Sequence, residues 1–329
     1  MQKEFIKELQ SSAKYSILFI LKLNKSLKLC IDYRALNNIT IKNSYSLLLI
    51  AELQNRLQNA QWFTKFNIFE TFNRIWIKEK DEWKTVFYTR LKHYEYLIMF
   101  FNLINASITF QIFVNNVLWH YLNQFIIVYL NDILVYLKMK KEHVQHVKKV
   151  LQTLKKVNLH IKSEKSEFHV QSVQFLKFII MFQSLRINLK KIKVVTTWST
   201  LKSKIEVQFF LEFAKFYRCF IKKYFRIISS LTNLTRKNIL FVWTEKADEA
   251  FKKLKKLFIF QSVLIMFESE KLIMLKMNMS DKAIEACINQ SNDKKHLHLI
   301  AFHSRKFTDV ELNYKIHDKK LLIIVNFFK

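Results

Sequence analysis

Asp132 offers more chemistry than any other residue in this chain. It stands in the stretch Phe125-Ile126-Ile127-Val128-Tyr129-Leu130-Asn131-Asp132-Ile133-Leu134-Val135-Tyr136, where two runs of β-branched and aromatic residues flank a polar pair. The pattern predicts a β-hairpin with its bend over Leu130 to Asp132. Both arms are apolar on both faces, which puts the hairpin inside a domain. A carboxylate at the tip of a buried hairpin is costly unless a cation or a hydrogen-bond donor meets it. The plainer reading is turn chemistry alone, since Asn and Asp both favour bends.

Other candidate ligands carry less. His143 and His146 lie three apart on a predicted amphipathic helix, where Val144, Val147, Val150, Leu151, Leu154 and Val157 recur at helical spacing. No carboxylate or Cys stands in register with them, so they read as surface histidines. Cys30, Cys219 and Cys287 are odd in number and far apart, which argues against a disulfide framework or a Cys-based zinc site and fits a reducing compartment. Asp32 and Arg34 read as a structural ion pair.

The elements that must position these residues follow from periodicity. Strands are expected at Ser16–Leu21, Phe63–Ile68, Trp83–Phe87 and Phe175–Ile180. From about 185 to 265 the chain should be helical, with Val207, Phe210, Leu211, Ala214, Tyr217 and Ile221 on one face. Thr244 is placed to cap a helix that runs through Ala247, Ala250, Phe251 and Leu254. The basic run Lys252-Lys253-Leu254-Lys255-Lys256 reads as a solvated helix face that can also touch a phosphate backbone.

Composition sets the outer bounds. Half of the 329 residues are hydrophobic and 15% are aromatic, which excludes intrinsic disorder and allows two or three domains with real cores. No apolar run reaches the roughly 18 residues of a membrane span. Glu4 and Glu8 precede the short apolar core near the N-terminus and no small-residue cleavage site follows it, so a secretory signal is not expected. The chain has no Gly and no Pro, where average usage predicts roughly 23 and 16. Turns at positive φ favour Gly, so folding does not ask for this absence. Gly codons begin GG and Pro codons CC, so sustained C-to-T and G-to-A change would remove both. The same change turns Asp into Asn, Glu into Lys and Pro into Ser. The net charge of +29 ordinarily points to a polyanionic partner, but Glu-to-Lys drift also raises it without selection.

Tyr129-Leu130-Asn131-Asp132 resembles the Tyr-x-Asp-Asp box of reverse transcriptases, with Asn in place of the first Asp. Further stretches extend the resemblance to gypsy-type LTR retrotransposon polymerases over nearly the whole chain. Leu29-Cys30-Ile31-Asp32-Tyr33-Arg34-Ala35-Leu36-Asn37 is similar to the fingers segment, and Trp62-Phe63-Thr64-Lys65-Phe66-Asn67 to the strand that carries the first catalytic Asp, again as Asn. The segment from Asn102 to Gln111 resembles the nucleotide-pocket motif, where the family has Gly and Pro at the positions of Asn102 and Ser107. Phe213–Arg218 and Phe241–Glu245 are similar to the thumb and connection. Ala301–Lys306 and Asn313–Lys319 are similar to the start of an RNase H.

The resemblance implies an α+β fold: a right-hand polymerase with fingers and palm over 1–181, thumb and connection over 182–265, then a partial RNase H-like domain over 266–329. It implies RNA-directed DNA synthesis on a template-primer with dNTPs, a cytoplasmic or nuclear setting, and two Mg²⁺ ions held by three carboxylates. The three positions are Asn67, Asn131 and Asp132, so one charge remains, on Asp132, as the expected metal ligand. Glu70, three residues along the strand from Asn67, faces the other way. Lys22, Lys28, Phe72 and Gln111 fall on nucleotide-contacting positions, Phe72 as a gate against a 2′-hydroxyl. In the RNase H portion the first catalytic Asp falls on Asn278 and the catalytic Glu on Lys320, while Asp281 and Asp318 read as structural. The chain stops at Lys329, before further acidic ligands are expected. A degenerate copy with lost catalysis is the expectation; a residual polymerase or a non-catalytic nucleic-acid-binding protein are the alternatives. Family glycines are also missing at Asn102, Lys177, Glu212 and Glu285, and Glu285 is expected to bury an unpaired charge.

Overall fold

Runs of β-branched and aromatic residues become strands wherever a second run lies within reach, and in the computed structural model of the chain they form small antiparallel sheets. The structure describes residues 5–8, 14–21, 26–45, 50–69, 71–237, 239–260, 263–268, 270–280, 283–291 and 296–327. Contacts divide the chain into two units, Met1–Leu49 with Gln61–Gln171, and Ile50–Ala60 with Ser172–Lys329.

The first unit begins with β1 (Ile6–Glu8), the hairpin β2 (Ile17–Leu21) and β3 (Leu27–Ile31), and the short helix α1 (Arg34–Ile39). Helix α2 (Ile50–Arg56) belongs to the second unit. Next come β4 (Trp62–Asn67), β5 (Phe87–Tyr88), β6 (His93–Tyr96), α3 (Ala106–Val117), β7 (Ile126–Tyr129), β8 (Asp132–Leu137), α4 (Lys140–Lys156) and β9 (Glu167–Val170). The sheet that matters for function has the order β7-β8-β4-β9. Ile126, Val128, Ile133 and Val135 of the hairpin pack with Phe66, Phe110, Val114, Val147, Val150 and Leu154 in one core. The hairpin is therefore interior, as its unbroken apolar arms require.

Three expectations fail locally. Trp83–Phe87 is not a strand: Glu82–Thr85 forms a 3₁₀ turn and only Phe87–Tyr88 is extended. Thr85 is buried there, its hydroxyl donating to Glu82 O at 2.8 Å, which a strand would not allow. His143 is fully buried rather than on the surface. Phe175–Ile180 is not one strand but a hairpin, described next. The Asp32–Arg34 pair forms as expected, at 2.6 Å, and Arg34 holds the Asp32 carboxyl at about 2, below its usual range.

In the second unit, β10 (Ser172–Phe175), β11 (Phe178–Met181), β12 (Ser184–Ile187) and β13 (Leu264–Ile265) form one sheet around α5 (Leu189–Thr197), α6 (Lys204–Phe216), α7 (Tyr224–Leu234) and α8 (Glu245–Ile259). Phe175 and Phe178 pair across Leu176-Lys177, whose φ values are 47° and 72°. Both central residues at positive φ make the primed turn that hairpins prefer and that Gly normally serves. Thr244 caps α8 as expected, accepting from Ala247 N. The last sheet joins β14 (Ile273–Ser280), β15 (Ala283–Ser291) and β16 (Leu297–Lys306), followed by α9 (Asp309–Leu312) and α10 (Ile316–Phe327). Ile284, Ala286, Phe307 and Ile323 form its core. Among the described residues no helix is long and apolar enough to cross a membrane.

Candidate active site

Tyr129 pairs with Asp132 across the two-residue turn Leu130-Asn131. The bend is one residue shorter than expected, and Asp132 opens β8, so the sheet aims its side chain. Leu130 has φ 52°, the left-handed value needed at the first central position of a type II′ turn. For Leu this costs about 1–2 kcal/mol, so something must hold it there.

That support is Gln111, only 3% exposed on α3. Its Oε1 accepts from Leu130 N at 2.5 Å, and its Nε2 donates to Val128 O at 3.2 Å and to Asn115 Oδ1 at 2.9 Å. The amide expected to touch a nucleotide is thus occupied by the hairpin. An α3 residue one position earlier, Phe110, meets the Phe72 ring at 6.1 Å, which ties Phe72 to the same neighbourhood.

Across the sheet, Asn67 lies directly opposite Asp132. Opposed residues of an antiparallel pair point to the same face. Asn67 Nδ2 donates to Asp132 Oδ1 at 2.7 Å. A carboxylate can only accept, so the amide must turn its NH₂ inward and its carbonyl away. Asn131 enters through its backbone, its carbonyl accepting from Ile68 N at 2.8 Å. The structure thus brings Asn67, Asn131, Asp132 and Gln111 together. Lys28 does not join them: its ammonium sits 3.6 Å over the Phe101 ring. Lys22 and Glu70 lie outside the described residues.

The residues present do not fit a pair of Mg²⁺ ions. Such a site needs several charged oxygens in octahedral reach, and here one carboxylate stands among two amides, with a hydrogen-bond donor already on its Oδ1. Among the described residues, no group of three or more His, Cys, Asp or Glu side chains gathers to hold an ion.

Behind the same sheet lies a cluster that the sequence reading missed. His143 Nε2 and Thr64 Oγ1 are 2.8 Å apart, His169 N donates to Thr64 Oγ1 at 3.0 Å, and the His143 and His169 rings meet edge-on at 5.2 Å. Burial, then the neighbouring His169 and His146, push His143 down to about 4, so it is neutral at pH 7. Its position was legible: residues 143, 147, 150 and 154 make the buried stripe of α4.

In the last sheet, Asn278 on β14 pairs with Glu285. Ile284 and Ala286 turn to the opposite face, where they pack with Ile323 of α10. Lys320 is an exposed residue of α10. Asn278 and Lys320 thus lie on different elements, β14 and α10. Glu285 is half-buried at the lining of a cavity, not sealed in the core. Asp281 lies outside the described residues, and Asp318 is exposed in the first turn of α10.

Comparison with known proteins separates two segments. Residues 20–180 match the reverse transcriptase (RNA-dependent DNA polymerase) family, and residues 243–329 match the RNase H-like domain found in reverse transcriptase. Over all 329 residues the chain is similar to the Transposon Tf2-3 and Tf2-7 polyproteins of Schizosaccharomyces pombe, at 31% and 30% identity. It spans about a quarter of the length of these curated relatives, 25% of each. Among solved structures it is similar to a foamy viral protease-reverse transcriptase in complex with an RNA/DNA hybrid, with a TM-score of 0.79 at 20% identity over 98% of this chain and 44% of that one. The same viral protein in complex with dsDNA gives a TM-score of 0.82 at 20% identity, over 98% of this chain and 67% of that one.

Proposed function

We propose that this chain, in which residues 20–180 match the reverse transcriptase family and residues 243–329 the RNase H-like domain found in reverse transcriptase, is a retrotransposon-derived reverse transcriptase that has kept the scaffold and lost the metal chemistry. Fingers and palm take up 1–181, thumb and connection 182–265, and the RNase H-like portion 266–329. Its partners are an RNA or DNA template-primer and dNTPs.

One observation carries the reading: the Asn67 amide donates to Asp132 at 2.7 Å. The family positions for three carboxylates here hold Asn67, Asn131 and Asp132, and the surviving acid is satisfied by one of its own replacements. The missing Gly and Pro support a copy altered by transitions, because the same codon changes produce Asn67 and Asn131. In the RNase H-like portion, Asn278 and Lys320 replace acids as well, and a Lys repels a divalent ion.

Primer extension on an RNA template with Mg²⁺ or Mn²⁺ tests the proposal. No product is expected from the chain as it stands. Templated DNA synthesis that disappears in Asp132→Ala overturns it. Restoring both acids, in Asn67→Asp/Asn131→Asp, is expected to return metal-dependent extension if the rest of the scaffold is sound.

A further inference from the structure

In the sheet that carries Asn67 and Asp132, β9 is an edge strand, paired only with β4. Its register slips: Phe63 faces Val170 and Lys65 faces Glu167, so two β9 residues stand opposite Thr64. Such a bulge leaves one residue of the longer strand outside the ladder. That residue is His169, at φ 51°, and its N–H donates instead to Thr64 Oγ1 at 3.0 Å. The same hydroxyl stands 2.8 Å from His143 Nε2 of α4. One buried side chain thus joins the helix, the inner strand and the edge strand. The residues before β9 also hold the end of β4. Lys162 N donates to Asn67 O at 2.7 Å, Asn67 N donates to Ser166 Oγ at 3.3 Å, and Ser166 Oγ donates to Lys162 O at 2.6 Å.

This arrangement suits only a neutral imidazole. His143 is fully buried, and its Nδ1 has no hydrogen-bond partner among the described residues. An imidazolium carries N–H on both nitrogens, so protonation would strand the second one. The neighbouring groups offer a cation nothing. On α4, Glu142 and Lys149 lie at the exposed surface, and His146 stacks on Phe125 at 4.0 Å with its own Nδ1 unpartnered. On β9, His169 meets the His143 ring edge-on, while Glu167 sits across from Lys65 on the face away from Thr64. Glu164 and Lys165 are exposed in the 3₁₀ turn Ser163–Lys165 that precedes β9. From β8, apolar Val135 stands opposite Thr64. A charged His143 must therefore reach water, and something has to move to let it.

We infer that His143, Thr64 and His169 form an acid-released clasp, which fastens β9 to β4 while His143 is neutral and lets the edge strand lift, freeing the backbone of Asn67, once His143 takes up a proton. The edge strand is the element that yields. It is four residues long and held through a bulged register, whereas α4 is anchored by Val147, Val150 and Leu154 in the core. Burial, then His169 and His146, hold His143 at about 4, below the ordinary 6.5. The clasp is therefore at full strength above about pH 6.5 and weakens as pH falls towards 4. Because Asn67 meets Asp132 at 2.7 Å, the clasp sets how firmly that contact is held. It does so whether or not the chain binds metal or nucleic acid.

The test is hydrogen exchange read by mass spectrometry on the full chain, with peptides over β9, the end of β4 and the β7–β8 hairpin. Protection is compared at about pH 7.5 and about pH 5, after correction for the intrinsic exchange rate. A group at about 4 in the closed clasp and 6.5 in the open one makes opening about thirtyfold more favourable over that interval. β9 and Asn67 should lose about that much protection, and the hairpin little. His143→Gln keeps a neutral group at the clasp and should show no such fall. Thr64→Val strands the His169 amide and should cost β9 about tenfold in protection already at about pH 7.5. Circular dichroism checks that each variant folds; where His143→Gln does not, Thr64→Val decides. Unchanged β9 protection in the parent overturns the inference, and so does a fall of equal size in the hairpin. The same fall in His143→Gln, or parental β9 protection in Thr64→Val, overturns it as well.

Discussion

Replacing Asn67 by Asp should turn its contact with Asp132 from attraction into repulsion. Asn67 and Asp132 touch at 2.7 Å. Two carboxylates relaxing to about 4 Å repel by about 1 kcal/mol at the dielectric of water and about 4 kcal/mol at that of a protein surface. The lost hydrogen bond adds about 1 kcal/mol. Asp132 is half-buried, so the sum should lie near 2–4 kcal/mol, or roughly 5–15 °C in melting temperature for a unit of this size. The assay is thermal unfolding in EDTA and in millimolar Mg²⁺. The parent should melt alike in both. Asn67→Asp should melt well below it in EDTA and recover in Mg²⁺, because a cation between two acids cancels the repulsion. Asn67→Ala should lose only the hydrogen bond and show no Mg²⁺ response. An Asn67→Asp protein as stable as the parent in EDTA, and indifferent to Mg²⁺, refutes the claimed geometry of the site.

Further outcomes follow from the same structure. Gln111→Met should cost about 1–3 kcal/mol in urea unfolding and speed amide exchange at Leu130, since it strands Leu130 N and Val128 O; unchanged protection at Leu130 rules out the brace. His143 is held neutral, its folded value near 4 lying below the ordinary 6.5, so the unfolded chain takes up the proton first. Its contribution is full above about pH 6.5 and drains as pH falls towards 4, by about 3 kcal/mol at most, and His143→Gln should flatten that part of a stability-against-pH curve. Lys177→Gly should stabilise by about 0.5–1 kcal/mol, the relief at φ 72° exceeding the lost contact of Lys177 with the Phe216 ring, as read from the denaturation midpoint.

Much of the palm was legible because its signals are local. Unbroken β-branched arms mark an interior hairpin, and the order of motifs marks the family. The errors at the turns share one cause. Nine described residues take positive φ and none is Gly, among them Leu130, Leu176, Lys177 and Gln183. Without glycines the ordinary punctuation of turns is erased, so Phe175–Ile180 reads as one strand although it folds back on itself at Leu176-Lys177. His143 misled for a different reason: residue type argued for the surface, while its spacing from Val147 and Val150 argued for the core.

Charge at the metal positions is a property of the sequence, since Asn67 and Asn131 are amides in any conformation. What they do with Asp132 belongs to the tertiary structure, because a strand register joins residues 67 and 132 and α3 supplies Gln111, 19 positions upstream of Leu130.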